Sequence, residues 1–287
     1  MATEQRGSSV GAAQSSHWFQ VLSFLVHSNF LIALAATGVA VTTMAVLSYP
    51  LDPLPLAFVF VAAMFGYTVN RFTDRAVDAY NLPERAAFID QFGRRGLAIS
   101  GVGFIGAITA TALYVPHMLP VALLPLAVAV IYSTSFVDRY FFCKNGLVGL
   151  VWAAIPIGMG SYFGTGITWE LGVFAALIFL FLTAAAILFD IKDIAGDQVV
   201  GCRTLPVCVG AANARRLAAG LLILSVPLIL LAAAHFHQHF YLLLGYPGYL
   251  LATIPFASQE RGTLFYGLII DGEHIVVAGI AIFLLMV

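Results

Sequence analysis

Long apolar stretches, each near the length of a bilayer-spanning helix, alternate with short polar connections along almost the whole chain. Nine are legible, near residues 21–47, 54–73, 96–114, 119–136, 146–163, 171–189, 214–234, 240–256 and 264–286. A helix needs about 20 apolar residues to cross hydrocarbon, so the pattern predicts an all-α, polytopic membrane protein of nine transmembrane helices. Gly and Pro interrupt several stretches, which membrane helices tolerate when neighbours satisfy the freed backbone groups. No linker divides the pattern, and residues 17–287 read as a single membrane domain. Residues 1–16 are small and polar and read as a disordered tail. The first apolar stretch is too long for the core of a cleavable signal.

Composition sharpens this. The chain of 287 residues is 61% apolar and only 9% charged, far from the make-up of soluble domains. Net charge is −1 and there is no basic run, which argues against nucleic acid as a partner. All 13 basic residues lie in the tail or in alternate connections: Arg6; Arg71, Arg75, Arg85, Arg94 and Arg95; Arg139 and Lys144; Lys192, Arg203, Arg215 and Arg216; Arg261. The other connections, near 48–53, 115–118, 164–170 and 235–239, hold none. The positive-inside rule then predicts a multi-pass protein of the cell membrane with a cytoplasmic amino terminus and an outside carboxyl terminus. Cys143, Cys202 and Cys208 fall on the cytoplasmic face, where disulfides are not expected.

Against so little charge, two acidic clusters stand out, both on the cytoplasmic side. Asn70, Asp74 and Asp78 end the second apolar stretch; Asp190, Asp193 and Asp197 end the sixth. On a helix, residues four apart differ by about 40°, so each cluster forms one stripe of oxygen ligands. Two such stripes across a cavity repel unless a cation intervenes. Oxygen-only ligands suit Mg²⁺, and Mn²⁺ meets the same requirement. Mg²⁺ is commonly shared between carboxylates and substrate phosphate, which points to a phosphorylated substrate. Arg85, Lys144, Lys192 and Arg203 lie beside the clusters and are expected to hold its phosphate oxygens. No Gly-rich nucleotide loop is present, which favours a membrane-soluble phosphate.

The pattern Asn70-x-x-x-Asp74-x-x-x-Asp78-x-x-Asn81-x-Pro83-x-Arg85 resembles the first signature of the UbiA superfamily of intramembrane prenyltransferases. Asp193-x-x-x-Asp197 followed by Gly201, Arg203, Thr204, Leu205 and Pro206 is similar to the second. Tyr132-Ser133, Lys144-Asn145, Pro156 and Gly160 resemble the segment between them, and Asp271-Gly272 a weaker feature of the last helix. The resemblance covers essentially the whole chain. It implies nine helices around a central cavity, with two Mg²⁺ ions held by Asn70, Asp74, Asp78, Asp193 and Asp197, and Asp190 as a ligand or an orienting group. The implied partners are an allylic polyprenyl diphosphate and a lipophilic or aromatic acceptor. Ionisation of the diphosphate would leave an allylic carbocation that the acceptor attacks. In that reading Asp74, Asp78, Asp193, Asp197 and Lys192 carry the catalysis, and Arg85, Lys144 and Arg203 bind diphosphate.

The chain departs from the family near the first helix, where His27-Ser28-Asn29 stands in place of an Arg-Pro pair, and after Arg85, where Ala86 and Ala87 follow. These departures bear on the acceptor, for which Asn29 and Asp271 are the candidates. Two rivals remain. A terpene cyclase of the same fold would let the substrate's own double bond attack the cation. A polyprenyl-phosphate or ion-coupled transporter would want acids near the bilayer midplane, whereas these lie at one end. His235, His237 and His239 are expected to form a solvated interfacial loop with no acid nearby, and Asp271, about two turns into the ninth helix beside Glu273 and His274, needs a partner or a cavity.

Overall fold

The computed structural model describes residues 17–132 and 143–286. Residues 1–16, Ser133 and Arg139, to which the sequence assigns a tail, part of a motif and a basic loop, lie outside the described residues. Every regular element described is helical. Helices α1 (His17–His27) and α2 (Phe30–Val46) meet at a bend of 65°. The bend sits at Asn29, whose φ of 64° is left-handed, a conformation that Asn tolerates better than most residues. Its side chain leaves the helix uncapped and donates instead to Thr68 Oγ1 at 3.3 Å.

Helix α3 (Pro53–Thr73) begins under Asp52, which accepts from the Leu54 amide at 2.9 Å, with Pro at the first turn. It ends at Asp74, followed by α4 (Arg75–Asn81) and the long α5 (Pro83–Tyr114). The apolar stretch predicted at 119–136 is not one straight helix. It starts as a 3₁₀ turn (Pro116–Met118), then α6 (Leu119–Ala122) and α7 (Leu124–Tyr132). Pro116, Pro120 and Pro125 each remove a backbone donor there. Next come α8 (Cys143–Tyr162), α9 (Trp169–Val200), α10 (Leu205–Val209) and α11 (Ala211–His235). The stretch at 240–256 is broken in the same way, into 3₁₀ turns at Gln238–Leu244 and Ile254–Phe256 around α12 (Gly245–Thr253), with Pro247 and Pro255 inside. Finally α13 (Thr263–Phe265) runs through a π turn (Tyr266–Ile270) into α14 (Gly272–Met286).

Helix α9 is the centre of the molecule. Within its most apolar window 72% of residues are buried, against 22% in α3 and 11% in α5. It packs between α8 and α11 and touches α4. Close approach depends on small residues, as is usual between membrane helices. A Cβ on Gly149 of α8 would lie 2.3 Å from Thr183 Oγ1 and 2.7 Å from the Phe179 carbonyl of α9. Gly38 of α2 meets the backbone of His274 on α14, 2.6 Å from where its Cβ would sit. By length and composition five of the described helices can cross a membrane, or six if α1 and α2 form one broken span.

Candidate active site

A cavity of about 1260 Å³ runs between α2, α3, α5, α8 and α9. Its walls are apolar, with Phe58 and Val61 from α3, Val151 and Ile155 from α8, and Phe179 and Leu182 from α9. Polar side chains gather at one end, where α3 and α9 finish and α8 begins. Both acidic clusters are there, six lining carboxylates (with Asp271) against four lining cations.

The first cluster spans a joint rather than one unbroken helix. Asp74 closes α3 with φ −89° and ψ 4°, yet its amide still bonds the Asn70 carbonyl at 2.9 Å. The Asp78 amide bonds the Asp74 carbonyl at 2.8 Å, so the helical spacing of the three ligands survives. Asn70 Nδ2 donates to Asp74 Oδ2 at 2.8 Å. Asp74, just past the end of α3, has its carboxyl pKa raised by burial, with Lys144 and Arg71 opposing. Arg85, buried at the start of α5, reaches Asp78 at 3.4 Å. Arg75 points away and pairs with the exposed Asp90.

On α9, Asp190 is held by Asn145 Nδ2 at 2.8 Å and by Lys144 at 3.7 Å. Lys192 pairs with Asp193. Asp197 accepts from Thr204 Oγ1 at 3.0 Å, which ties it to the segment after Gly201. Gly201 ends α9 with φ 82°, a conformation that favours glycine. The two clusters are joined directly, since Asn81 Nδ2 donates to Asp197 Oδ1 at 3.3 Å. Gly196 makes room for this contact: a Cβ there would lie 1.8 Å from Asn81 Oδ1.

The donor set fits a hard cation. It is all oxygen, and the buried atoms Asp78 Oδ2, Asp193 Oδ1 and Asn81 Oδ1 have no hydrogen-bond partner. Among the described residues no three His, Cys, Asp or Glu stand close enough to enclose an ion by themselves. The carboxylates lean on Arg85, Lys144 and Lys192 instead. An open donor set of this kind suits Mg²⁺, which keeps part of its shell for water and substrate phosphate.

Asn29 and Asp271 also line the cavity, Asp271 directly after the π turn. Arg203 does not; it is exposed beyond the end of α9. Glu273 and His274 are buried but outside the lining, with His274 packed 5.1 Å from the Trp152 ring and 5.3 Å from that of Tyr246. Glu273 Oε1 lies 3.4 Å from His274 Nε2, and neither of its carboxyl oxygens has a hydrogen-bond partner among the described residues. The loop of His235, His237 and His239 differs from expectation, because Glu170 is 2.7 Å from His237 Nε2. The N-terminal turn of α9 brings that acid from far along the chain. Among the lining residues not singled out as site residues by sequence are Tyr67, Arg71 and Trp152. The Tyr67–Arg71 spacing of one helical turn was the available sign for two of them.

Fold and site together define a helical, membrane-type protein whose apolar cavity ends in paired acidic motifs. Residues 18–261 match the family model described as "UbiA prenyltransferase family". The digeranylgeranylglyceryl phosphate synthase of Haloquadratum walsbyi is 30% identical over 206 residues, 69% of this chain and 67% of that protein. The enzyme of the same name from Halobacterium salinarum is 34% identical over 152 residues, 53% of this chain and 54% of its own length. The match thus spans about half to two thirds of these curated relatives. A UbiA homolog from Archaeoglobus fulgidus bound to GPP and Mg²⁺ superposes with a TM-score of 0.62 at 16% identity, covering 92% of this chain and 99% of that one. For a UbiA homolog from Aeropyrum pernix K1 the TM-score is 0.63 at 17% identity, with 91% and 98% covered. The chain belongs to the UbiA prenyltransferase family and is a membrane protein.

Proposed function

We propose that the protein is an intramembrane prenyltransferase that ionises an allylic polyprenyl diphosphate and passes the prenyl group to a lipid or aromatic acceptor. The observation that carries this is the meeting of two acidic motifs, tied by Asn81 and Asp197, at the end of one large apolar cavity. Among acceptors, a glycerol-based lipid phosphate is favoured by the names of the curated relatives.

Asn70, Asp74, Asp78, Asp193 and Asp197 would hold Mg²⁺, two ions by the two-motif arrangement, with Asp190 orienting Lys144 or adding a ligand. When bound, the divalent ions supply charge neutralisation to the diphosphate as its bond to carbon breaks. Arg85, Lys144 and Lys192 donate N–H groups to the same oxygens, and their hold strengthens as negative charge builds on the leaving group. The apolar walls take the polyprenyl tail and keep water from the allylic cation. Asn29 and Asp271 serve the acceptor side. Arg203, outside the lining, is assigned no contact with the diphosphate.

The same reading takes the membrane crossings as nine, with α1–α2 as one span and the two Pro-broken segments as one each. It places the acidic end in the cytoplasm, on the strength of the basic residues. A terpene cyclase remains the rival for this site. It is distinguished by its product: Mg²⁺-dependent diphosphate release with a cyclic hydrocarbon and no acceptor requirement. The direct test is to supply geranylgeranyl diphosphate and Mg²⁺ to the purified protein with an acceptor panel. A prenylated acceptor supports the proposal, and saturable binding without turnover points to the transporter.

A further inference from the structure

Tyr67 and Arg71 lie one turn apart on α3, on a stripe rotated about 60° from that of Asn70 and Asp74. Both line the cavity. Tyr67 leans toward α8, where Trp152 Nε1 donates to its hydroxyl at 3.0 Å. Arg71 differs from the other cations of the cavity. Arg85 is paired with Asp78, Lys144 with Asp190 and Lys192 with Asp193. Arg71 has no ion pair or hydrogen bond among the described residues. Asn29 and Asp271, the acceptor-side candidates, line the same cavity as Arg71, whose stripe with Tyr67 is turned away from the acidic one.

A guanidinium stays ionised in any environment and is costly beside apolar walls without a counter-charge. It also matches a phosphate or carboxylate with two parallel hydrogen bonds. The three paired cations suffice to place positive charge on a diphosphate, each next to its own carboxylate. Arg71 is the cation left over, on the acceptor side. We propose that Arg71 is the residue that selects the acceptor, by gripping an oxyanion on its headgroup. This rests on the prenyl-transfer reading and deepens it: the acceptor is an anion, and a neutral alcohol or phenol is a poor substitute. The oxyanion is the phosphate of a prenylglycerol phosphate or the carboxylate of a hydroxybenzoate, and the experiment separates these.

The test uses the full chain in detergent with Mg²⁺ and geranylgeranyl diphosphate. Three acceptors are offered: geranylgeranylglyceryl phosphate, its phosphate-free alcohol, and 4-hydroxybenzoate. For Arg71→Met we expect the KM of the anionic acceptor to rise about 10- to 100-fold, the range for losing a charged hydrogen bond. The KM for geranylgeranyl diphosphate should stay within about twofold, since binding there does not use Arg71. Arg71→Lys, which keeps the charge but not the planar fork, should recover part of the loss. Transfer to the neutral alcohol should be weak in wild type and unchanged by the substitution. Calorimetric titration of each acceptor reads the same contrast without turnover, and the thermal unfolding midpoint reports on folding. A rise in KM for the diphosphate in place of the acceptor would overturn the proposal, as would equal acceptor binding by wild type and Arg71→Met. If wild type transfers to no acceptor, the prenyl-transfer reading fails, and the titration still decides the role of Arg71.

Discussion

Asn81 shows how much at this site depends on a single amide. It comes from the end of α4 and bonds Asp197 on α9, 116 residues away. Gly196, next to Asp197, has to be small for that contact to form. Gly196→Ala should therefore push Asn81 aside without unfolding the protein. We expect kcat/KM to fall about 10- to 100-fold, the usual cost of disturbing groups that orient a metal site. A steady-state assay with the unfolding midpoint measured in parallel checks this; full activity would mean that the bridge is dispensable. The sequence marks Asn81 and Gly196 only as neighbours of the acids. Spacing shows which residues share a helix face, but a bond between α4 and α9 belongs to tertiary packing. Arg71 escaped for a related reason, since beside Asp74 it reads as that acid's surface partner. Among the described residues it has no ion pair or hydrogen bond.

At the scale of elements, the hydrophobic pattern located the helices well and their breaks poorly. Prolines at 116, 120 and 125 were visible, but whether they kink or divide a span depends on the neighbours that satisfy the freed carbonyls. The π turn before Asp271 has no sequence sign at all. Such turns are frequent at functional positions, and this one directly precedes an acid of the cavity wall. The tight contact of α8 on α9 carries a stability prediction. Gly149→Val would force side-chain atoms into Thr183 and the Phe179 carbonyl. Overpacking of this kind costs about 1–3 kcal/mol, so the unfolding midpoint in detergent should drop by several degrees. An unchanged midpoint would mean that α8 can move off α9 freely.

Across the whole molecule, the apolar cavity with its charged end suits a substrate with a long tail and an anionic head. The composition makes such a shape readable in outline, because so few charges remain to be placed. Orientation in the membrane is a separate prediction. Cys208 is exposed on the segment after α9, the side expected to face the cytoplasm. In a variant with Cys143 and Cys202 replaced by Ser, a membrane-impermeant thiol reagent should label Cys208 in inverted vesicles and leave it untouched in intact cells. The opposite pattern would reverse the topology.

The central claim is that the two acidic clusters act together on an allylic diphosphate. The measurement that tests it most directly is diphosphate release from geranylgeranyl diphosphate by wild type, Asp74→Ala and Asp193→Ala. Each is assayed with Mg²⁺, with chelator, and with Mg²⁺ or Mn²⁺ restored, with and without a glycerol-lipid phosphate acceptor. We predict release that stops with chelator, returns with either ion, and falls at least about 100-fold in each variant, the scale of losing charge stabilisation at a reacting centre. The prenylated acceptor should appear in step with released diphosphate. Metal-independent release, or a variant of either cluster that retains wild-type turnover, would contradict the account.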